Sequence, residues 1–271
     1  MTKEHVFRQS WRGSTVDISF VPRDHPLYER NFTRYNIDGS IRSAHPDPVF
    51  ELTVKGVCSY CNNGWMNRLD SVVEPWVFDP YAEESQCDPV QFRRWAIKIA
   101  LLRSHREHRL VPQPGDLRKL YDGDDIADWR IFVGRMALPT HSHIFVGFGP
   151  TDNVQGGRLF GITQVSWSLG HTIVIALRLA EKDLAPTWFK MFKRANLEHG
   201  ILVAEVLPTA KRLPSLETLP ELLLNQVESL TWFYSTNPAS PIHEWVRRVE
   251  SGFRQAAEDA GVPVREHYGE A

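Results

Sequence analysis

The 271 residues predict an α+β protein with an antiparallel β-sheet and flanking helices. Hydrophobic residues make up 42% and charged residues 24% of the chain, which is typical of a folded globular protein. Short β-type runs occupy the beginning and the middle of the sequence, and helical periodicities lie between and after them. The runs in the middle are joined by short connections, which favour antiparallel pairing because a parallel crossover needs a dozen or more residues.

The first sixty residues alternate β-type runs with turn signals. The runs are 14–20, 31–37 and 49–55, and Asp38, Gly39 and Ser40 follow the second of them. Turn residues between two β-type runs are typical of a hairpin. The sequence therefore predicts a loose hairpin formed by the second and third runs.

A helical period replaces the β pattern between Asn62 and Val77. Its large apolar residues are spaced as on one face of a helix. Pro75 is expected to end or kink this helix near Glu74, because proline lacks the backbone N–H of a helix interior. The predicted buried face consists of Trp65, Leu69, Val72, Val73 and Trp76.

A second helix is predicted over about 89–106, where Asp88 supplies an N-cap, Pro89 the first turn and Gln91 a capping box. Its apolar stripe contains Phe92, Trp95, Ala96, Ile99 and Leu102. Its basic residues are expected to face outward, as a solvated helix face or as a ridge that contacts nucleic-acid phosphates. They are Arg93, Arg94, Lys98, Arg103, Arg106 and Arg109, of which Arg93, Arg94 and Lys98 are the predicted nucleic-acid contacts.

In the remaining chain, β-type runs predict an antiparallel sheet over about 129–207. C-terminal helices are predicted after it, one of which begins at Ser240 and Pro241. An acidic, proline-punctuated stretch over 78–89 is a natural boundary between two units. We therefore expect one domain over 1–80 and an α+β domain of unknown role over 88–271.

Charge and cysteine content limit the classes of function. The formal net charge is −2, so the chain has no overall cationic field for nucleic acid or an anionic membrane. Three cysteines cannot form a disulfide framework, and the first residues lack the apolar core of a signal peptide. No apolar run approaches the roughly 20 residues of a membrane span. We expect a soluble cytoplasmic protein with no membrane contact.

Cys58 and Cys61 form a Cys-x-x-Cys pair between a predicted strand and a predicted helix. Two thiolates at this spacing can bind one tetrahedral ion, and the position is typical of a zinc knuckle, although the pair is only half of a four-ligand site. One alternative is a redox pair of the thioredoxin type, which needs a buried parallel strand before the helix. Another is that the two thiols pack as small hydrophobic groups without a ligand.

The run Cys58-Ser-Tyr-Cys61-Asn62-Asn63-Gly-Trp-Met-Asn, preceded by Thr2-Lys-Glu4-His5-Val-Phe7, resembles the HNH endonuclease-like family of ββα-metal nucleases, in the variant with Asn in place of the last His. The resemblance covers roughly residues 2–76. In that family an acidic-His dipeptide ends a strand, and a Cys-x-x-Cys pair followed by Asn or His opens a helix. Four thiolates bind structural zinc, and a separate divalent ion takes part in the chemistry.

This resemblance implies a role for each matching residue. His5 would be the general base, since an imidazole can take a proton from water near neutral pH. Glu4 would bind a catalytic divalent ion such as Mg²⁺, with Asn62 as the catalytic ligand at the helix start and Asn63 beside it. Cys58 and Cys61 would bind structural Zn²⁺.

The sequence departs from the family in one respect. The family's first Cys-x-x-Cys pair should precede Glu4, where only three residues stand. The expectation is that the natural chain starts further upstream or that this copy is degenerate. The leading prediction is a metal-dependent hydrolase of DNA phosphodiester bonds, and the alternative is a non-catalytic zinc-knuckle binding or scaffold protein.

Overall fold

The computed structural model describes an α+β molecule with helices packed on an antiparallel sheet, which confirms the predicted fold class at this level. No helix among the described residues is long and apolar enough to cross a membrane. The predicted strand over 14–20 lies outside the described residues, and so does the predicted helix from Ser240 apart from Asp259. The described parts are 2–12, 31–35, 41–46, 53–81, 87–106, 115–124, 126–137, 144–148, 162–179 and 200–223, together with residues 186, 189, 190, 193, 197, 226 and 259.

Two separate antiparallel strand pairs form the N-terminal part. Strand β1 (Thr2–His5) pairs with β4 (Thr53–Val57), and β2 (Asn31–Tyr35) pairs with β3 (Ile41–Pro46). The predicted hairpin between 31–37 and 49–55 is therefore wrong. The β-type pattern did not indicate strand β3, and β4 pairs with the N-terminal strand instead.

The helical segment after β4 consists of three consecutive pieces. They are α1 (Ser59–Cys61), a π-helical turn (Asn62–Met66) with a kink at Gly64, and α2 (Asn67–Phe78). The expected end near Glu74 is wrong, because α2 continues through Pro75 to Phe78 and the ring of Pro75 points to solvent. Val72 was predicted on the buried face but is 47% exposed, whereas Val73 is buried.

Helix α3 (Pro89–Arg106) has the predicted bounds. The carboxylate of Asp88 accepts a hydrogen bond from the backbone N–H of Val90 at 2.8 Å, which satisfies one of the free donors of the first turn. The predicted apolar stripe is buried along its whole length. The short helix α4 (Asp116–Asp122) packs beside α3.

The main sheet contains β5 (Trp129–Met136), β6 (Ile144–Phe148), β7 (Ile162–Leu169), β8 (Thr172–Leu179), β9 (Ala204–Glu205) and β10 (Glu221–Leu222). Its order is β10-β5-β8-β7-β6, and β9 pairs with β5. Among the strands that the structure describes, only β10 pairs in parallel. The hairpin between β7 and β8 turns at Gly170, whose φ of 58° suits glycine. The predicted strand over 201–207 is reduced to the two residues of β9.

Both faces of the main sheet carry buried apolar residues. One face packs against α3 in a core that also receives residues from β4, from α2 and from the segment directly after β1, namely Val6, Phe7 and Trp11. Within this core Trp95 of α3 contacts the rings of Trp11, Phe92 and Trp167. The two units that the sequence predicts therefore share one hydrophobic core. The opposite face carries a second buried group, formed by Phe132, Met136, Ile173, Ile175, Leu177, Phe189, Ile201 and Leu222.

Candidate functional site

The Cys-x-x-Cys pair lies where β4 ends and the helical segment begins. Cys58 is the N-cap residue of α1, with extended backbone angles, and its side chain is exposed. The backbone N–H of Cys61 donates a hydrogen bond to the Cys58 sulfur at 3.1 Å. The sulfur thus fills the place that a Ser or Asp oxygen usually occupies at a helix start. The carbonyl of Cys58 accepts from the N–H of Asn62 at 3.0 Å, which fixes the turn.

The two thiols differ in their electrostatic environment. The thiol of Cys61 donates a hydrogen bond to the Cys58 sulfur, and this bond lowers the pKa of Cys58 and raises the pKa of Cys61. The backbone N–H of Cys61 lowers the pKa of Cys58 further, and partial burial raises the pKa of Cys61 further. Cys58 is therefore the sulfur that carries the negative charge more readily.

The third cysteine has a different environment. Cys87 is buried, and its thiol donates to the carbonyl of Asp88 at 3.5 Å. Burial, followed by the negative charge of Asp88, raises the pKa of Cys87 to about 12. A thiol of this kind stays protonated at neutral pH and is a poor metal ligand.

The HNH resemblance implies a structural zinc site and a separate catalytic metal site. Cys58 and Cys61 provide two of the four thiolates of a closed zinc site. Among the residues that the structure describes, no group of three or more His, Cys, Asp or Glu side chains could hold an ion. The described side chains therefore fit half of a zinc site and do not fit a complete catalytic metal site.

Strand β1 contains the predicted acidic-His dipeptide. Glu4 pairs with Val54 and His5 with Thr53, whereas Thr2 pairs with Val57 next to Cys58. His5 is partly buried and stands at the end of the ladder that lies away from Cys58. Four residues along a strand correspond to about 13 Å. The side chain of Glu4 lies outside what the structure describes.

The chain just after β1 is attached to the middle of α2. One guanidinium nitrogen of Arg8 contacts a carboxylate oxygen of Glu74 at 2.6 Å and the hydroxyl of Ser71 at 3.1 Å. Asn62, which is partly buried, precedes Ser71 by nine residues, or about 13 Å along a helix. That His5 and Asn62 flank one ion stays a prediction, and so does the role of the exposed Asn63.

The predicted outward orientation of the basic residues on α3 is wrong for three of them, because Arg93 is 2%, Lys98 0% and Arg103 1% exposed. The guanidinium of Arg93 donates to the carbonyls of Val206 and Trp129, both at 3.0 Å.

Arg94 and Lys98, the other two predicted nucleic-acid contacts, also bind groups of the protein itself. Arg94 is partly buried and donates to the carbonyl of Leu120 at 2.5 Å and to the side chain of Gln91 at 3.4 Å. The ammonium of Lys98 contacts the Asp70 carboxylate at 2.5 Å. The described part of α3 therefore offers no solvent-facing basic ridge, and the nucleic-acid contact predicted for Arg93, Arg94 and Lys98 loses its structural basis.

Sequence reasoning overlooked Asp70 and Arg8, which hold this region together. The sequence does contain a signal for the buried Lys98–Asp70 pair, in the spacing of Lys98 from the apolar residues of α3. Lys98 stands three residues after Trp95 and four before Leu102, so it lies on the apolar side of α3. A basic residue at such a position indicates a buried acidic partner. No comparable signal identifies Arg8.

Comparison with known proteins adds no relative to these observations. No family model, no curated protein and no solved structure matches the chain.

Proposed function

We propose that the N-terminal strands and the helical segment form a ββα metal-dependent nuclease module that hydrolyses phosphodiester bonds in DNA. The observation that supports this proposal is the chain order around Cys58. Strand β1 ends in Glu4 and His5 and pairs antiparallel with β4, and β4 leads through Cys58 and Cys61 directly into the helical segment. Apart from the β2–β3 pair, which lies between β1 and β4 in the chain, this is the strand, strand, helix order of the family that the sequence resembles.

In this proposal each residue keeps the role that the resemblance implies. His5 takes the proton from the water that attacks the phosphorus. Glu4, Asn62 and Asn63 would bind a divalent ion such as Mg²⁺, which would stabilise the charge that develops on the phosphate oxygens. Cys58 and Cys61 bind structural zinc, with the missing ligands supplied from elsewhere in the protein.

The test is cleavage of supercoiled plasmid DNA by the full-length chain with Mg²⁺ or Mn²⁺, with a chelator control. Loss of a general base typically costs 10²–10⁴-fold in rate, so His5→Ala should reduce nicking by about that factor. The matched control is His171→Ala, which removes another partly buried histidine, at the hairpin of the main sheet. Equal nicking by His5→Ala and the wild type, or no metal-dependent nicking by the wild type, would contradict the proposal.

A non-catalytic zinc-knuckle protein is the second candidate. The observation that favours it is the lack of any three-ligand group among the described His, Cys, Asp and Glu side chains, beside a well-formed thiol pair. Metal analysis of the purified chain separates the two candidates when it is combined with the nicking assay. Zinc that is lost in Cys58→Ser but kept in Cys87→Ser, without nicking by the wild type, would favour the scaffold.

A further inference from the structure

We propose that Cys58 and Cys61, when they hold no metal, form a thiol–disulfide exchange site for low-molecular-weight disulfides, in which Cys58 attacks and Cys61 resolves. This inference goes beyond the nuclease proposal and does not depend on it. The strand before Cys58, β4, belongs to an antiparallel pair and therefore differs from the parallel strand of a thioredoxin-like sheet. The proposed exchange does not require such a sheet.

The backbone brings the two sulfurs within disulfide reach. Cys58 is the N-cap and Cys61 the third residue of the helix, and the two residues between them are helical. Residues three apart in a helix have Cα atoms about 5 Å apart. Disulfides span about 4.4–6.8 Å between Cα atoms, so an internal bond needs no movement of the backbone.

Exposure assigns the two roles. The Cys58 side chain is exposed, and so are its neighbours Ser59 and Tyr60, the latter by 72%, so a small disulfide can approach this sulfur in line. Cys61 is partly buried and packs against the hydrophobic core. The N–H of Cys61 that donates to the Cys58 sulfur also stabilises this sulfur as the attacking thiolate of the first step.

The exchange balances with glutathione disulfide as the oxidant. The Cys58 thiolate attacks one sulfur of glutathione disulfide, forms a mixed disulfide and releases one glutathione thiolate. The Cys61 thiolate then attacks the Cys58 sulfur, forms the Cys58–Cys61 disulfide and releases the second glutathione. The two protein thiols lose two electrons and two protons, and glutathione disulfide gains both.

The experiment treats the full-length chain with glutathione disulfide in the presence of a chelator, after circular dichroism has verified that the fold persists. The products are quenched with acid, alkylated and identified by intact and peptide mass. The wild type should form an internal Cys58–Cys61 disulfide and release two glutathiones per chain. Cys61→Ser should stop at a glutathione adduct on Cys58, and Cys58→Ser should react at Cys61 at least about tenfold more slowly. Cys87→Ser should behave as the wild type.

Two results would overturn the proposal. One is a wild type that accumulates the mixed disulfide, or remains a dithiol, in excess glutathione disulfide. The other is a Cys58→Ser variant that reacts at Cys61 as fast as Cys61→Ser reacts at Cys58. Zinc content measured on the same samples before chelation tests the nuclease module's structural metal independently, so the two proposals can fail separately.

Discussion

The three cysteines show how local environment separates residues of one type. Cys58 is exposed and accepts two hydrogen bonds from Cys61, one from its thiol and one from its backbone N–H. Cys61 is partly buried, and Cys87 is buried beside Asp88. The thiolate is the reactive form of cysteine, so accessibility and pKa together determine reactivity. In this chain both factors favour Cys58.

The order of alkylation by iodoacetamide should therefore be Cys58, then Cys61, then Cys87. Because its pKa is lowered, Cys58 should reach its maximal rate at a lower pH than an ordinary thiol. The rate of Cys87, with a pKa of about 12, should still rise at the highest pH at which the fold persists. Peptide mass spectrometry over a pH series measures all three rates. Cys87 labelling as fast as Cys58 in the folded chain would contradict the described burial.

The buried pair of Lys98 and Asp70 leads to a second prediction at this scale. Both side chains are at most 5% exposed, so removal of one charge leaves the other unpaired in the core. Lys98→Ala should lower the free energy of unfolding by about 3–5 kcal/mol, whereas the double variant Asp70→Leu, Lys98→Met should recover most of this loss. Lys119→Ala, at an exposed position of α4, is the control. Urea denaturation measures these differences, and a loss below about 1 kcal/mol in Lys98→Ala would contradict the burial.

At the scale of elements, local signals predicted helices well and strand partners poorly. Helix α3 has its predicted bounds because Asp88 and Pro89 act within the first turn itself. The pairing of β1 with β4 joins residues some fifty positions apart, and no local pattern specifies such a register. The basic residues of α3 were misplaced for a related reason, since their partners stand on other elements: Asp70, Leu120, Trp129 and Val206.

Pro75 provides a prediction for α2. It sits within the helix at an exposed position and leaves the carbonyl of Ser71 without its usual N–H donor. Pro75→Ala restores this donor, so we expect the free energy of unfolding to rise by about 1–2 kcal/mol, after allowance for the greater entropy of the unfolded chain. Pro89→Ala, at the first position of α3, gains no helical hydrogen bond and should give no increase. A thermal-melting series that shows no rise for Pro75→Ala would contradict the helical assignment.

For the whole molecule, the shared core determines what can fold alone. Phe7 and Trp11, from the N-terminal part, contact the rings of Trp167 and Trp95, and Trp76 of α2 contacts Phe92 of α3. The sequence predicted two units because the acidic, proline-rich stretch over 78–89 has the composition of a linker. Composition does not reveal that the apolar faces on either side of such a stretch pack against each other.

A fragment containing residues 1–81 should therefore not fold by itself. It would expose to water the buried faces of Trp11, Val73 and Trp76, and it would leave Asp70 without Lys98. We expect weak helical circular dichroism and no cooperative urea transition for the fragment. Mixing or co-expression with residues 82–271 should restore the helical circular dichroism and the cooperative transition. The second fragment supplies the apolar surfaces against which the first one packs, even without a covalent link. A fragment that unfolds cooperatively alone would show that the N-terminal unit has a sufficient core of its own, and the nuclease module could then be tested in isolation.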